Sequence, residues 1–180
     1  MPYAQVESYR YYLKDSLYLL LCRFIMEGSR DIGGFNLTIG EADRKIVVDG
    51  STYKLVKRST GQLHEKPGIN LVFHDEHELV FGNPVENRIV AMIHVYVKET
   101  TNGTVDDRTM DKLKFFVDGA FAEGATPIWD MTFVPPQNLR RQARWMKNEK
   151  LWEDLTDTRT DSYIHCVRRM SFDFRSDTLS

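Results

Sequence analysis

The densest group of side chains able to bind a metal ion is the run His74-Asp75-Glu76-His77-Glu78, near the middle of the chain. Imidazole and carboxylate together suit zinc or manganese, and such an ion can activate water for hydrolysis. A strand would direct the two histidines of the run to opposite faces, because side chains alternate along a strand. The helical spacing His-Glu-x-x-His, which places two histidines on one face, does not occur.

The residues around this run favour a different interpretation. Leu71-Val72-Phe73 precedes it and Leu79-Val80-Phe81 follows it, so the pattern predicts two strands joined by a solvated hairpin loop. We therefore predict that His74, Glu76 and His77 do not form a metal site. A metal-dependent hydrolase or nuclease that uses this run is kept as an alternative.

No other local signature in the sequence indicates an enzyme. The nucleophile elbow, the phosphate-binding loop that ends in Gly-Lys-Ser/Thr and the dinucleotide-binding glycine pattern are all missing, and we expect no cofactor. His94 and His165 lie in apolar stretches, and we interpret them as structural histidines whose hydrogen bonds are satisfied within the fold. A site assembled only in three dimensions stays open.

A basic segment follows Pro135-Pro136, which is well placed to start a helix over residues 137–155. At 100° per residue, this helix would carry two apolar faces with a basic stripe between them. The residues of the stripe are Arg140, Arg141, Arg144 and Lys147. We predict that an anionic partner, such as a nucleoprotein, a nucleic acid or an acidic membrane surface, binds to this stripe.

The two apolar faces of the same predicted helix have different expected roles. One face, with Leu139 and Met146, would anchor the helix to the core of its own chain, and the opposite face carries Trp145, Trp152 and Leu155. A surface helix needs only one apolar face, and tryptophan is enriched at binding hot spots. We predict that the second face lies at a contact between subunits, and the alternative is burial within one chain.

The remaining patterns predict an α+β fold with an antiparallel sheet. Apolar residues at helical spacing predict an N-terminal helix from Ser8 to Gly28 and another helix over 104–121. Strand patterns occupy 35–39, 46–56 with a turn at Asp49-Gly50, 88–98 and 163–174. Together with the helix over 137–155, this gives an N-terminal helix and two further helices in the second half of the chain.

The composition indicates one globular domain over residues 1–180, because the chain is 42% hydrophobic and contains no flexible linker. A formal charge of -2 excludes a strongly basic nucleic-acid binder but permits local patches. Cys22 and Cys166 lie far apart, which indicates buried thiols in a reducing, cytoplasmic compartment. No apolar run reaches the ~20 residues that a transmembrane helix needs.

One segment resembles a known family. Ala125-Thr126-Pro127-Ile128-Trp129-Asp130 follows a strong strand at 89–97 and precedes the predicted basic helix and the final strand. This segment and the order of elements resemble rhabdovirus-type matrix proteins. The resemblance implies a small α+β protein that self-associates, bridges nucleocapsid and envelope without catalysis, and resides in the virion. The basic N-terminal tail and the proline-tyrosine-rich segment of that family have no counterpart in this sequence.

These patterns favour a non-enzymatic structural or interaction protein that self-associates as a homo-oligomer. Two alternatives remain. One is a metal-dependent hydrolase or nuclease that uses the run from His74 to Glu78, and the other is a binding module for an anionic partner that uses the stripe from Arg140 to Lys147.

Overall fold

The structure is a computed structural model. It describes the backbone of residues 2–29, 39–80, 85–99, 107–121, 129–130, 137–138, 143–145, 152–155 and 162–176. Its described side chains are those of residues 14–29, 39–74, 89–99, 108–121, 152–155 and 162–171.

The N-terminal helix, α1 (Pro2–Glu27), confirms the prediction of a helix that ends at Gly28. Gly28 has a φ of 68°, a left-handed conformation that glycine adopts without steric cost. Its N–H donates to the carbonyl oxygen of Phe24 at 2.8 Å and so closes the helix. The helix begins at Pro2, whereas the capping pattern predicted a start at Ser8.

The second helix, α2 (Asp107–Ala120), lies within the helix predicted over 104–121. The predicted apolar stripe of Met110, Leu113, Val117 and Phe121 is buried throughout. This stripe faces α1 and the sheet, so the periodicity of the sequence correctly indicates which side of α2 enters the core.

The described residues contain nine strands and one short 3₁₀ turn at Glu41–Asp43. The strands are β1 (Lys45–Val48), β2 (Ser51–Ser59), β3 (Gly68–Val80), β4 (Val85–Lys98), β5 (Trp129–Asp130), β6 (Gln137–Asn138), β7 (Ala143–Trp145), β8 (Glu153–Asp154) and β9 (Tyr163–Ser176).

Seven of these strands form one mixed sheet with the order β1-β2-β3-β4-β9-β7, and β8 also pairs with β9. All neighbours in this sheet are antiparallel except β2 and β3, which are parallel. The predicted α+β class is therefore confirmed. The predicted antiparallel sheet is confirmed only in part, because the pairing of β2 with β3 is parallel. The predicted hairpin between β1 and β2 also forms, and both Asp49 and Gly50 take positive φ values in its turn.

Both helices contribute to a core on one face of the sheet. Alternate residues of the central strands point into it, among them Ile69, Leu71, Ile93, Val95 and Cys166. Tyr18 of α1 joins the core, and its hydroxyl donates to the carbonyl oxygen of Leu55 on β2 at 2.7 Å. This bond satisfies the only polar atom that the buried Tyr18 side chain brings inside.

The helix predicted over 137–155 is wrong, because every described residue of this range is in a strand or lies next to one. β7 pairs with the outer edge of β9, with Ala143 opposite Phe174, and β8 pairs further along the same edge, with Glu153 opposite Val167. The edge of β9 offers backbone donors and acceptors that need partners. The helical periodicity of residues 137–155 reflects only local spacing, so it did not predict that this segment pairs with β9.

The hairpin loop predicted at residues 74–78 is also wrong. β3 continues through this run as far as Val80, and its pairing with β4 shifts register between Phe73 and Glu76. The fourteen residues of β4 supply a partner along the whole run, so its charged side chains are carried on a strand. The strand predicted over 35–39 lies outside the described residues except at Ile39.

No helix within the described part of the chain is long and apolar enough to cross a membrane.

Candidate functional site

The face of the sheet that points away from the helices is rich in imidazoles and cations, and we call it the polar face. Its residues alternate with the core residues of β2, β3, β4 and β9. The described polar and aromatic side chains here include Lys54, Arg58, Asn70, His74, His94, Tyr96, His165 and Arg169.

The connection from β2 to β3, residues 60–67, lies over this polar face. Because the two strands are parallel, the connection must return along the sheet. Asn70 is fully buried and holds the connection by two hydrogen bonds. Its Oδ1 accepts from the Glu65 N–H at 2.7 Å, and its Nδ2 donates to the Glu65 carbonyl oxygen at 2.9 Å. A Cβ on Gly68 would lie 2.9 Å from a carbonyl oxygen of β2, so only glycine fits beneath the connection.

These contacts bring His64 onto His94, Tyr96 and His165, and we call the four residues the imidazole cluster. His64 Nδ1 lies 2.7 Å from the Tyr96 hydroxyl, and His94 Nδ1 lies 2.9 Å from His165 Nε2. The rings of His64 and His94 are 4.5 Å apart, and Tyr96 stacks on His165 at 4.2 Å. His94 and His165 therefore satisfy one ring nitrogen of each other, which supports the interpretation that they are structural histidines.

Protonation is disfavoured at two members of the cluster. Burial and, after it, the neighbouring imidazoles of His64 and His165 lower the pKa of His94 to about 3. Burial also lowers the pKa of His64, and the next causes are the positive charges of Lys66 and Arg58. Burial thus opposes the charged form of both rings.

Four cationic side chains lie on or above the polar face, namely Lys54, Arg58, Lys66 and Arg169. Lys66 Nζ is 4.8 Å from the centre of the Tyr96 ring, in cation–π contact with the cluster. Glu65 pairs with Lys54 at 2.7 Å and with Arg58 at 3.6 Å. One carboxylate between two cations leaves the described part of this face positively charged.

Two buried nitrogen atoms beside the cluster, His74 Nε2 and Arg58 Nε, have no hydrogen-bond partner within the described part of the chain. Both residues contribute to the electrostatic shift at His64, so both lie close to it. Buried polar atoms in native proteins are nearly always hydrogen-bonded. Both nitrogens are shielded from solvent in this structure, so their lack of a partner marks a local cost in free energy rather than an open binding position.

No three His, Cys, Asp or Glu side chains among the described residues are arranged to hold a metal ion. His74 lies on the polar face, whereas Glu76 and His77 belong to β3 with side chains outside the described set. The sequence-based expectation that His74, Glu76 and His77 do not form a metal site stays a prediction.

The predicted subunit contact does not rest on a helix face. Trp152 is half-buried against the core of its own chain, and its Nε1 donates to Asp118 Oδ1 at 3.0 Å. Leu155 is also half-buried, and its N–H donates to the carbonyl oxygen of His165 at 2.8 Å. Trp145 is in β7, opposite Phe172, and its side chain lies outside the described residues.

The predicted basic stripe is not on a helix either. Arg144 is in β7, opposite Asp173 of β9, and Arg140, Arg141 and Lys147 lie outside the described residues. Anion binding by these four residues therefore stays a prediction, although Arg144 is in a strand and not in the helix on which the prediction was based.

The sequence analysis did not identify His64, Arg58 or Lys66 as a site. The three residues lie within nine positions of one another, but His94 and His165 follow His64 by 30 and 101 positions, and no local motif joins them to it. The parallel pairing of β2 with β3 returns the connection across the polar face and brings His64 to the strand histidines. Residue spacing in the sequence does not indicate this pairing.

No model of a known protein family matches this chain, and no curated protein matches it.

Proposed function

We propose that the protein is a binding module for an anionic ligand, and that its polar face holds a compact oxyanion such as a phosphate group beside the imidazole cluster. The observation that carries the proposal is the positive charge of Lys54, Arg58 and Lys66 beside the imidazole cluster, which among the described contacts is offset by the carboxylate of Glu65 alone. This proposal keeps the predicted chemistry of an anionic partner and moves it from the stripe at Arg140–Lys147 to the sheet.

The donor chemistry supports an oxyanion over other ligands. Arginine presents N–H groups in a planar fork that matches phosphate oxygens, and the resulting bonds are charge-assisted. A neutral histidine adds one N–H donor when its tautomer places the proton on the free nitrogen. Lys66 supplies a further positive charge from the connection above the sheet. An apolar ligand would leave these groups without acceptors.

The surrounding geometry supports a preformed site. The connection that carries His64 and Lys66 is held by the two hydrogen bonds between Asn70 and Glu65 and rests closely on Gly68. Little conformational entropy is then lost when a ligand binds, so even a small anion can gain net affinity.

The test is a titration of the protein with inorganic phosphate at pH 7 and low salt, followed by NMR of the histidine side chains. We expect saturable shifts at His64 and His74, and affinity that falls as salt is added. Arg58→Gln should weaken binding about tenfold, because a charge-assisted hydrogen bond is lost.

Lys114→Gln is the control, since it removes one positive charge from α2, on the opposite side of the sheet from the polar face. It should leave the phosphate affinity unchanged. Equal losses in the two variants, or shifts spread evenly over surface cations, would show only non-specific attraction and reject the site.

A further inference from the structure

The exposed side of α2 carries an apolar and charged surface that the proposed anion site does not use. Phe115 is 71% exposed there, although the helix buries Leu113 and Val117 completely. A shallow cleft beside it is lined by Arg108, Asp111 and Lys112. Phe115 thus forms an apolar surface that is rimmed by charged side chains, an arrangement found at protein–protein contacts.

We propose that this surface is a contact between two copies of the chain, and we call Arg108, Asp111, Lys112 and Phe115 the α2 stripe. Their spacing of three, four and seven residues places them on one side of the helix over two turns. An antiparallel pairing about a two-fold axis between positions 111 and 112 brings Asp111 to Lys112 of the second copy. The same pairing brings Phe115 to Arg108 of the second copy.

The charge pattern is the reason to choose a second copy as the occupant. A two-fold contact requires each residue to meet its complement on an identical surface. The stripe satisfies this twice, through a carboxylate opposite an ammonium group and an aromatic ring opposite a guanidinium group. A uniformly charged partner would repel either Asp111 or the pair Arg108 and Lys112.

Contacts within the chain hold the stripe in position. Lys112 Nζ lies 2.8 Å from Asp49 Oδ1 and 3.0 Å from Oδ2, at the turn between β1 and β2. The Phe116 ring, which packs against the core, lies 6.3 Å from the Phe115 ring in an edge-on contact. The side chains of Lys112 and Phe115 are therefore partly ordered before association, which lowers the entropic cost of association.

Sedimentation equilibrium over a range of protein concentrations tests the proposal. We expect a monomer–dimer equilibrium, and Phe115→Ser should raise the dimer dissociation constant by about tenfold or more, as for an aromatic anchor. Leu63→Ser is the matched control, because Leu63 is 91% exposed on a different surface. It should leave the dissociation constant unchanged.

A charge reversal tests the contact between Asp111 and Lys112 of the second copy. Asp111→Lys should weaken the dimer, because it places a lysine opposite Lys112, with circular dichroism used to verify that the protomer is folded. Glu41→Lys is the control, since it makes the same change at an exposed residue outside the α2 stripe, and it should leave the dissociation constant unchanged. A wild-type chain that stays monomeric up to about 1 mM would overturn the proposal. An equal effect of Leu63→Ser, or equal effects of Asp111→Lys and Glu41→Lys, would do so as well.

Discussion

The side chain of Asn70 and the backbone of Glu65 form two hydrogen bonds with each other, and this pairing decides where His64 lies. Asn70 has no solvent exposure, and its amide serves both the N–H and the carbonyl group of Glu65. Asn70 thus holds the connection through the backbone of Glu65, separately from the ion pairs that the Glu65 side chain forms. The site on the polar face depends on this contact.

Asn70→Ala should therefore lower the free energy of unfolding by about 2 kcal/mol, because two buried backbone groups lose their partners. It should also change the NMR signals of the His64 side chain. Gln62→Ala is the control, since Gln62 is exposed and bonds only locally to the Ser59 N–H. Urea denaturation of both variants gives the comparison, and equal losses would contradict the role of Asn70.

Gly68→Ala should also destabilise the protein, by about 1 to 3 kcal/mol. The new Cβ would lie 2.9 Å from the carbonyl oxygen of Lys54 and 3.1 Å from that of Glu65, and neither backbone atom can move without disturbing the pairing of β2 with β3. Thermal unfolding measures the loss. Unchanged stability together with unchanged His64 signals would show that the connection does not rest closely on the sheet.

Acid should destabilise the fold through His94. Its pKa is lowered to about 3 by burial and neighbouring imidazoles, whereas an unfolded histidine titrates near 6.5. The unfolded state therefore binds the proton first, and stability is lost as the pH falls from about 6.5 towards 3. Between pH 7 and pH 5 this amounts to about 2 kcal/mol.

His94→Gln should remove most of this contribution without removing the acid response of the carboxylates. Urea denaturation at pH 7 and at pH 5, performed on the wild type and the variant, isolates the difference between them. The groups that surround His94 are His64, His74, Tyr96 and His165. An identical pH dependence in the two proteins would mean that the pKa of His94 does not differ between the folded and unfolded states.

Asp118 should be important for stability, because it joins three parts of the fold. It accepts from Trp152 Nε1 at 3.0 Å and forms an ion pair with Arg168, whose side chain is 9% exposed on β9. Asp118→Ala should cost about 2 to 3 kcal/mol, since it leaves the Arg168 charge buried. Trp152→Phe, which removes the indole donor and part of the ring that packs against the core, should cost about 1 to 3 kcal/mol.

The Trp152→Phe variant also distinguishes two hypotheses for Trp152, namely packing within its own chain and contact between subunits. Its place in the core of its own chain predicts lower stability with an unchanged association state, whereas the subunit contact expected from the sequence predicts the reverse. Unfolding measurements combined with sedimentation decide between them. A Trp152→Phe protein of full stability that fails to associate would favour the subunit contact.

The sequence by itself determined the elements whose signals are local. The periodicity of α2 predicted its buried stripe, Gly28 marked the end of α1, and Asp49-Gly50 marked a hairpin, because each depends on neighbours within a few residues. Only the tertiary structure decided the rest. The segment after Pro135-Pro136 has helical periodicity but contributes strands, since the edge of β9 needs backbone partners.

The polar face shows the same division. His94 and His165 lie 71 positions apart, and His64 joins them only because β2 and β3 are parallel and Asn70 holds the returning connection. Residue types predicted that the two strand histidines would be satisfied, and they satisfy each other. Which side chains meet on a sheet is set by strand order and register, and these follow from the packing of the whole chain rather than from any local spacing.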